Sequence, residues 1–149
     1  MADLQATVLR KLAPDATTDT CADLIAKVMS TFDGVMRASN RIAVANAIAL
    51  QKTHPVVTSF QNVTAARDKL LPGWDMATPV SDWPRFVLIV QKRHLFAHTL
   101  GVADQDFISK SGDTSTPPGK KVKLTAQDVD FFANAAKQIV NHYFGCGLS

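Results

Sequence analysis

Apolar positions recur at helical spacing over most of the chain, and the two-residue alternation of a half-buried strand is nearly absent, so the fold class is all-α. A short amphipathic stretch from Ala2 to Leu12 sets Leu4, Val8 and Leu12 on one line ahead of Pro14. Thr20 and Asp23 then have the spacing of a capping pair for a long helix running to about Lys52. Along it Ile25, Val28, Phe32, Val35, Ile42, Asn46 and Leu50 follow mixed three- and four-residue steps. Gly34 interrupts that run at a cost of roughly 1 kcal/mol relative to Ala. His54-Pro55 stops the helix, because proline disfavours helical geometry in the residue before it.

A second helix is expected over Val56 to Leu70, with Phe60, Val63, Arg67 and Leu70 in register and Leu71-Pro72-Gly73 closing it. Trp74 to Pro79 connects it to a third helix, capped by Ser81 or Asp82, with Trp83-Pro84 in its first turn. That helix should reach about Leu100, where Gly101 is placed to end it. The polar, Gly/Pro-rich stretch Ser109 to Gly119, with the lysines that follow, forms an exposed loop over 109–124. Thr125 and Asp128 start a last helix that runs to about Tyr143 and buries Val129, Phe132, Ala136, Ile139 and Val140. The expected organisation is one domain over 1–149, a bundle of four to five helices with an N-terminal extension at 1–16.

Composition narrows the class of function more than its identity. At 149 residues, 46% hydrophobic and 19% charged, the chain has the size and apolar content to bury a core, which excludes a disordered tail or linker. A net charge of +3 and a pI near 9.0 lean weakly towards a polyanionic partner. Cys21 and Cys146 lie far apart, with neither metal-ligand spacing nor a disulfide framework, which fits a reducing cytoplasm. Met1 to Leu12 carries scattered charges and reads as neither a signal peptide nor a membrane span. No metal, cofactor or membrane contact is expected.

The chemistry concentrates in Arg93-His94-Leu95-Phe96-Ala97-His98, near the end of the third helix. Imidazole moves protons near neutral pH, and guanidinium stabilises charge building on phosphoryl oxygens, so the pair can cleave a phosphodiester without metal. On a helical wheel Trp83, Phe86, Val87, Ile89, Val90, Phe96 and Ala97 form the core face, with His94 and His98 at its edge beside Gln91. Leu88 and Leu95 make a second apolar line on the opposite side, which suggests a dimer interface. Arg93 and His98 lie about 140° apart on an ideal helix. Three arrangements reconcile them: a distorted helix end, a long arginine stem reaching around, or residues of two protomers meeting across that interface; the last is preferred and makes the site depend on dimerisation. An Arg-x4-His spacing by itself is equally met by a helix-terminal cation and a surface histidine. His94 and His98 also have joint metal-binding spacing, without a convincing third ligand.

The flanking residues add weight. The run from Lys92 to Phe107, with its Arg93, His94, apolar stretch, His98, Gly101-Val102 turn and following acids, resembles the HEPN superfamily (higher eukaryotes and prokaryotes nucleotide-binding). Phe60-Gln61-Asn62-Val63, Gly73-Trp74-Asp75, Trp83 and Val122-Lys123-Leu124-Thr125 extend the resemblance over roughly Leu24 to Val140. It implies a helical bundle forming a homodimer with paired motifs at a shared cleft. It also implies a metal-independent endoribonuclease in a toxin–antitoxin or antiviral defence setting, with an antitoxin or other defence protein as a further partner. By transfer, Arg93 and His98 are the catalytic pair and His94 assists. Members that have lost catalysis imply the alternative, a nucleotide-binding or protein-interaction module. One subgroup carries a modified tyrosine two residues after its histidine; this chain has Leu100 there.

Lys92, Lys120, Lys121 and Lys123 are the candidate RNA contacts, and Lys110 could join them around the loop, against the plainer reading of a solvated charged face. His54, His142, Trp74, the phenylalanines and the arginines of the first two helices are assigned to packing or to the surface.

Overall fold

A computed structural model describes residues 17–147; the amphipathic stretch expected over Ala2 to Leu12 lies outside them, as does the Cys146 side chain. The described residues form five helices: α1 (Thr18–Ala49), α2 (Val63–Leu70), α3 (Trp83–Thr99), α4 (Gln105–Ser111) and α5 (Ala126–Gly147). Among them is no strand, only an isolated bridge between Val102 and Lys121. The all-α class is therefore observed.

The cap of α1 is Thr17, whose hydroxyl accepts from the Thr20 amide at 3.2 Å, three residues before the Thr20/Asp23 pair. Burial of Cys21, Ala22, Leu24 and Ile25 explains the earlier start, since the first turns are already anchored in the core. At its other end α1 overruns the core. Ala43 is its last buried residue, and Ile42, Ile48 and Leu50 are exposed.

The second helix begins seven residues later than Val56. Two buried side chains of α1 take the backbone donors of the intervening segment: Asn40 Oδ1 accepts from the Val57 amide at 2.8 Å, and Asp33 Oδ1 accepts from the Phe60 amide at 2.7 Å. Held extended by these bonds, residues 56–62 have no helical ladder to join. Asn62 then caps α2 by accepting from the Ala65 amide at 3.1 Å.

Helix α3 is capped by Asp82, as expected, with the Arg85 amide donating to its carboxylate at 3.1 Å. The helix stops at Leu100 and Gly101, both at positive φ. A side chain on Gly101 would meet the Phe96 ring at 2.6 Å, so glycine is required there.

The core packs Phe86 of α3 against Phe32 of α1 and Phe132 of α5, with ring centroids 6.2 and 4.8 Å apart. Each such ring contributes about 1.5–3 kcal/mol by leaving water. Helix α5 starts from the anticipated capping box, with the Thr125 amide donating to Asp128 at 3.0 Å and the Asp128 amide donating to the Thr125 hydroxyl at 3.2 Å. It runs on to Gly147. Thr18 meets Leu124, and Asn40 meets Tyr143, so α1 and α5 lie parallel. Arg85 pairs with Asp128 and Lys92 with the Lys123 carbonyl, so α3 runs against them.

Helix α4 is the element the apolar spacing missed. Asp104 caps it, accepting from the Phe107 amide at 2.7 Å. It folds Phe107, with Ala103 and Val122, over Leu95, making a second small core against which Leu88 packs. Two expectations are corrected as a result. Leu88 and Leu95 are not an open dimer face: Leu95 is 4% exposed and Leu88 is half-buried within the same chain. Nor is 109–124 exposed throughout, because Val122 and Leu124 are buried. No helix among the described residues is long and apolar enough to cross a membrane.

Candidate functional site

The last two turns of α3 leave the core. Phe86, Ile89 and Val90 are buried, whereas His94, Ala97 and His98 are exposed. Ala97 therefore does not belong to the core face. Because the histidines are four apart on a regular helix, their rings meet side by side, with centroids 4.3 Å apart and planes inclined by 56°.

These rings face an open cleft of about 740 Å³ built from three helices. Helix α3 supplies Gln91, Arg93, His94 and His98. The capped start of α2 supplies Gln61 and Asn62, the last turn of α2 supplies Asp68, and α4 supplies Lys110. Arg93 and His98 thus border one cleft within one chain, despite their separation on the wheel. The helix between them is continuous, so the arrangement rests on the arginine's reach and the width of the cleft, and it needs no second protomer.

Arg93 is half-buried, and its Nη2 donates to Gln61 Oε1 at 3.2 Å. Its partner is a neutral amide, so the guanidinium charge is not compensated by a carboxylate in contact. His94 binds its proton less readily than an ordinary histidine. Burial is the largest cause, followed by the charges of His98, Arg93 and Lys110, with Asp106 opposing them. Neither imidazole hydrogen-bonds to protein among the described residues, so their nitrogens are open to a ligand. Lys110 is exposed and bridges to Asp106 at 2.9 Å.

Arg93 also borders a second cleft, of about 550 Å³, on the far side of Ala97. There it faces Asp19 and Asp23 from the first turns of α1, along with Phe96 and Lys121. Lys121 bridges Asp19 at 2.7 Å and lies over the Phe96 ring.

The four candidate RNA-contacting lysines are not on the histidine cleft. Lys92 reaches away to the Lys123 carbonyl at 3.0 Å, Lys121 serves the second cleft, and Lys120 and Lys123 are exposed outside both. Alternation along 121–124 explains Lys121 and Lys123, since burial of Val122 and Leu124 turns them outward. Lys110 is the lysine that reaches the histidines, carried there by a helix that apolar periodicity was too short to reveal. Gln61 is a residue of the cleft that the spacing missed. Its only signal was a place in Phe60-Gln61-Asn62-Val63, which carried no role for it.

The remaining polar side chains are structural. Arg67 forms a two-pronged bond to Asp75, at 2.7 and 3.1 Å, and holds that carboxyl below the usual carboxylate range. Burial pushes the Cys21 thiol up, with Asp128 adding to the effect, which leaves it unreactive. No group of three or more metal-binding side chains occurs among the described residues, and His94 and His98 have no third ligand beside them. Compared with protein-family models, curated proteins and solved structures, the chain matches none.

Proposed function

We propose that the protein is a metal-independent endoribonuclease of the HEPN type, with Arg93, His94 and His98 at its reactive centre. One observation carries this reading: among the described residues, two imidazoles with open nitrogens and a guanidinium without a carboxylate partner border a single open cleft. Ser59 and Thr64 also line the cleft, but neither hydroxyl bonds to an imidazole as the nucleophile of acyl transfer would, and Asp68 is its one carboxylate among the described residues, where glycosyl transfer would need a pair. Two imidazoles and a cation instead suit transfer at phosphorus.

In the proposed reaction an RNA 2′-hydroxyl attacks the adjacent phosphorus while His94, held neutral by its surroundings, takes the proton. The bond from phosphorus to the 5′-oxygen breaks, and protonated His98 supplies the proton that oxygen needs. Arg93 stabilises the added charge on the phosphoryl oxygens. The products are a 2′,3′-cyclic phosphate and a 5′-hydroxyl, and the need for a 2′-hydroxyl confines the chemistry to RNA. Lys110 lies where a neighbouring phosphate of the strand would pass.

The same cations would also hold a nucleotide phosphate without cleaving it, as in the binding-module alternative. The homodimer that the resemblance implies would have to use a face other than Leu88 and Leu95. A toxin or antiviral defence role, with a controlling partner protein, follows from the resemblance alone, whereas a cytoplasmic site of action rests on the spacing of the two cysteines.

The test is RNA incubated with wild type and His98→Ala in the presence of EDTA, followed by analysis of product ends. Cyclic phosphate ends from wild type and uncut RNA from the variant are expected. RNA left intact by wild type, or cut equally by both, overturns the reading.

A further inference from the structure

Arg93 stands between two clefts of opposite character. On one side are His94, His98 and Lys110, with a single carboxylate, Asp68, among the described residues. On the other are Asp19 and Asp23, carboxylates that would compete for a guanidinium. Asp19 is already taken by Lys121 at 2.7 Å, whereas Asp23 has no hydrogen bond or ion pair among the described residues. Among the described residues the one polar contact of Arg93 is the 3.2 Å bond to Gln61, in the histidine cleft. Gln61 is exposed and precedes the cap of α2, so its amide supports no part of the core.

We infer that Gln61 is a positioning residue: its amide oxygen keeps Arg93 on the histidine side, away from Asp23, while leaving the guanidinium charge available to an anion. The inference rests on the ribonuclease reading for its consequence in catalysis, although the placement of Arg93 can be read independently. An amide suits this task better than a carboxylate does. Glutamate at 61 would hold the guanidinium equally well but cancel its charge. Alanine would release it to Asp23.

Four variants, two single and two double, separate these effects. Gln61→Ala should lower kcat about 10- to 100-fold with little change in KM, the loss typical of a displaced charge-stabilising group. Adding Asp23→Asn should restore most of that loss, because the competing carboxylate is gone. Gln61→Glu should be as slow as Gln61→Ala, and Asp23→Asn should not rescue it.

Imidazole NMR titration follows Arg93 without reference to cleavage. His94 faces His98 and Arg93 on α3, Lys110 and Asp106 on α4, and Asp68 on α2. Removing or neutralising Arg93 should move its midpoint up in both single variants, and Gln61→Ala/Asp23→Asn should return it. Thermal melts unchanged from wild type are expected throughout.

Gln61→Ala with wild-type turnover and an unmoved His94 midpoint overturns the inference and leaves the ribonuclease reading intact. An inactive Gln61→Ala that Asp23→Asn does not rescue overturns it as well. A wild type that cuts no RNA, with His94 midpoints moving as described, overturns the ribonuclease reading alone.

Discussion

The four histidines of this chain form two pairs at opposite ends of the bundle, and their surroundings separate packing from chemistry. At the far end of α1, Tyr143 lies within 3.4 Å of His54 Nε2, and the Trp74 indole donates to His142 Nδ1 at 2.8 Å. Those ring nitrogens are engaged by aromatic neighbours, and the cluster closes that end of the core. His94 and His98 touch each other and face solvent beside two cations. The difference lies in the unspent nitrogens and the charge around them. A histidine whose nitrogens are committed to the fold cannot relay a proton without loosening that fold, whereas an exposed pair can.

The sharpest way to break this contrast is to remove one ring from each end. His98→Ala should cut RNA cleavage about 1,000-fold, within the range for losing a proton-transfer group, and leave the melting temperature within about 1 °C. At the other end the support for His54 and Tyr143 comes from Asn40, which is buried. It donates to the Pro55 carbonyl at 2.9 Å and to the Tyr143 hydroxyl at 3.1 Å, and it accepts from the Val57 amide. Asn40→Ala strands that amide and should destabilise the chain by about 2–3 kcal/mol, seen in urea unfolding. Cleavage by the folded fraction should be unchanged. A stability loss from His98→Ala, or a turnover loss from folded Asn40→Ala, would erase the distinction.

The same contrast shows what a reading of residue spacing can reach. The Asp82 and Thr125/Asp128 caps, the faces of α5 and the Arg93–His98 motif depend on neighbours within one turn, and such relations are written locally. The start of α2 was illegible because Asn40 and Asp33, remote in the chain, take the backbone donors of 56–62. Helix α4 was hidden by its length: seven residues give too few periods, and its partners Leu95 and Val122 lie on either side of it in the chain. The apolar line of Leu88 and Leu95 was real, but what covers it is this chain's own α4. Lys110 and Gln61 reach the cleft through those two misread segments, so Lys110 was legible only as a basic residue of the loop, and Gln61 had no role at all.

Lys110 sharpens the account of how the cleft holds a strand. It does not touch the rings and serves as a flanking cation, so Lys110→Ala should raise KM about three- to tenfold with kcat nearly unchanged. The dependence of binding on salt should also become shallower by about one ion. Lys120→Ala and Lys123→Ala, turned away from the cleft, should alter neither, and equal effects from all three would return the role to diffuse surface charge.

The smallest effect is a matter of pH and concerns His94 itself. Burial, then the charges of His98, Arg93 and Lys110, hold its proton affinity below that of the same residue in the unfolded chain. The folded state therefore binds fewer protons as pH falls. Stability linked to His94 is full above the ordinary histidine range and is lost as pH drops towards its own lowered midpoint. His94→Gln removes that linkage. Between about pH 7.5 and about pH 5 the wild type should lose about 1–2 °C of melting temperature more than the variant does. The ring is exposed and solvent screens it, which keeps the difference small. Identical slopes in the two proteins would mean that His94 does not feel its cationic neighbours, and the neutral base beside His98 would lose its physical basis.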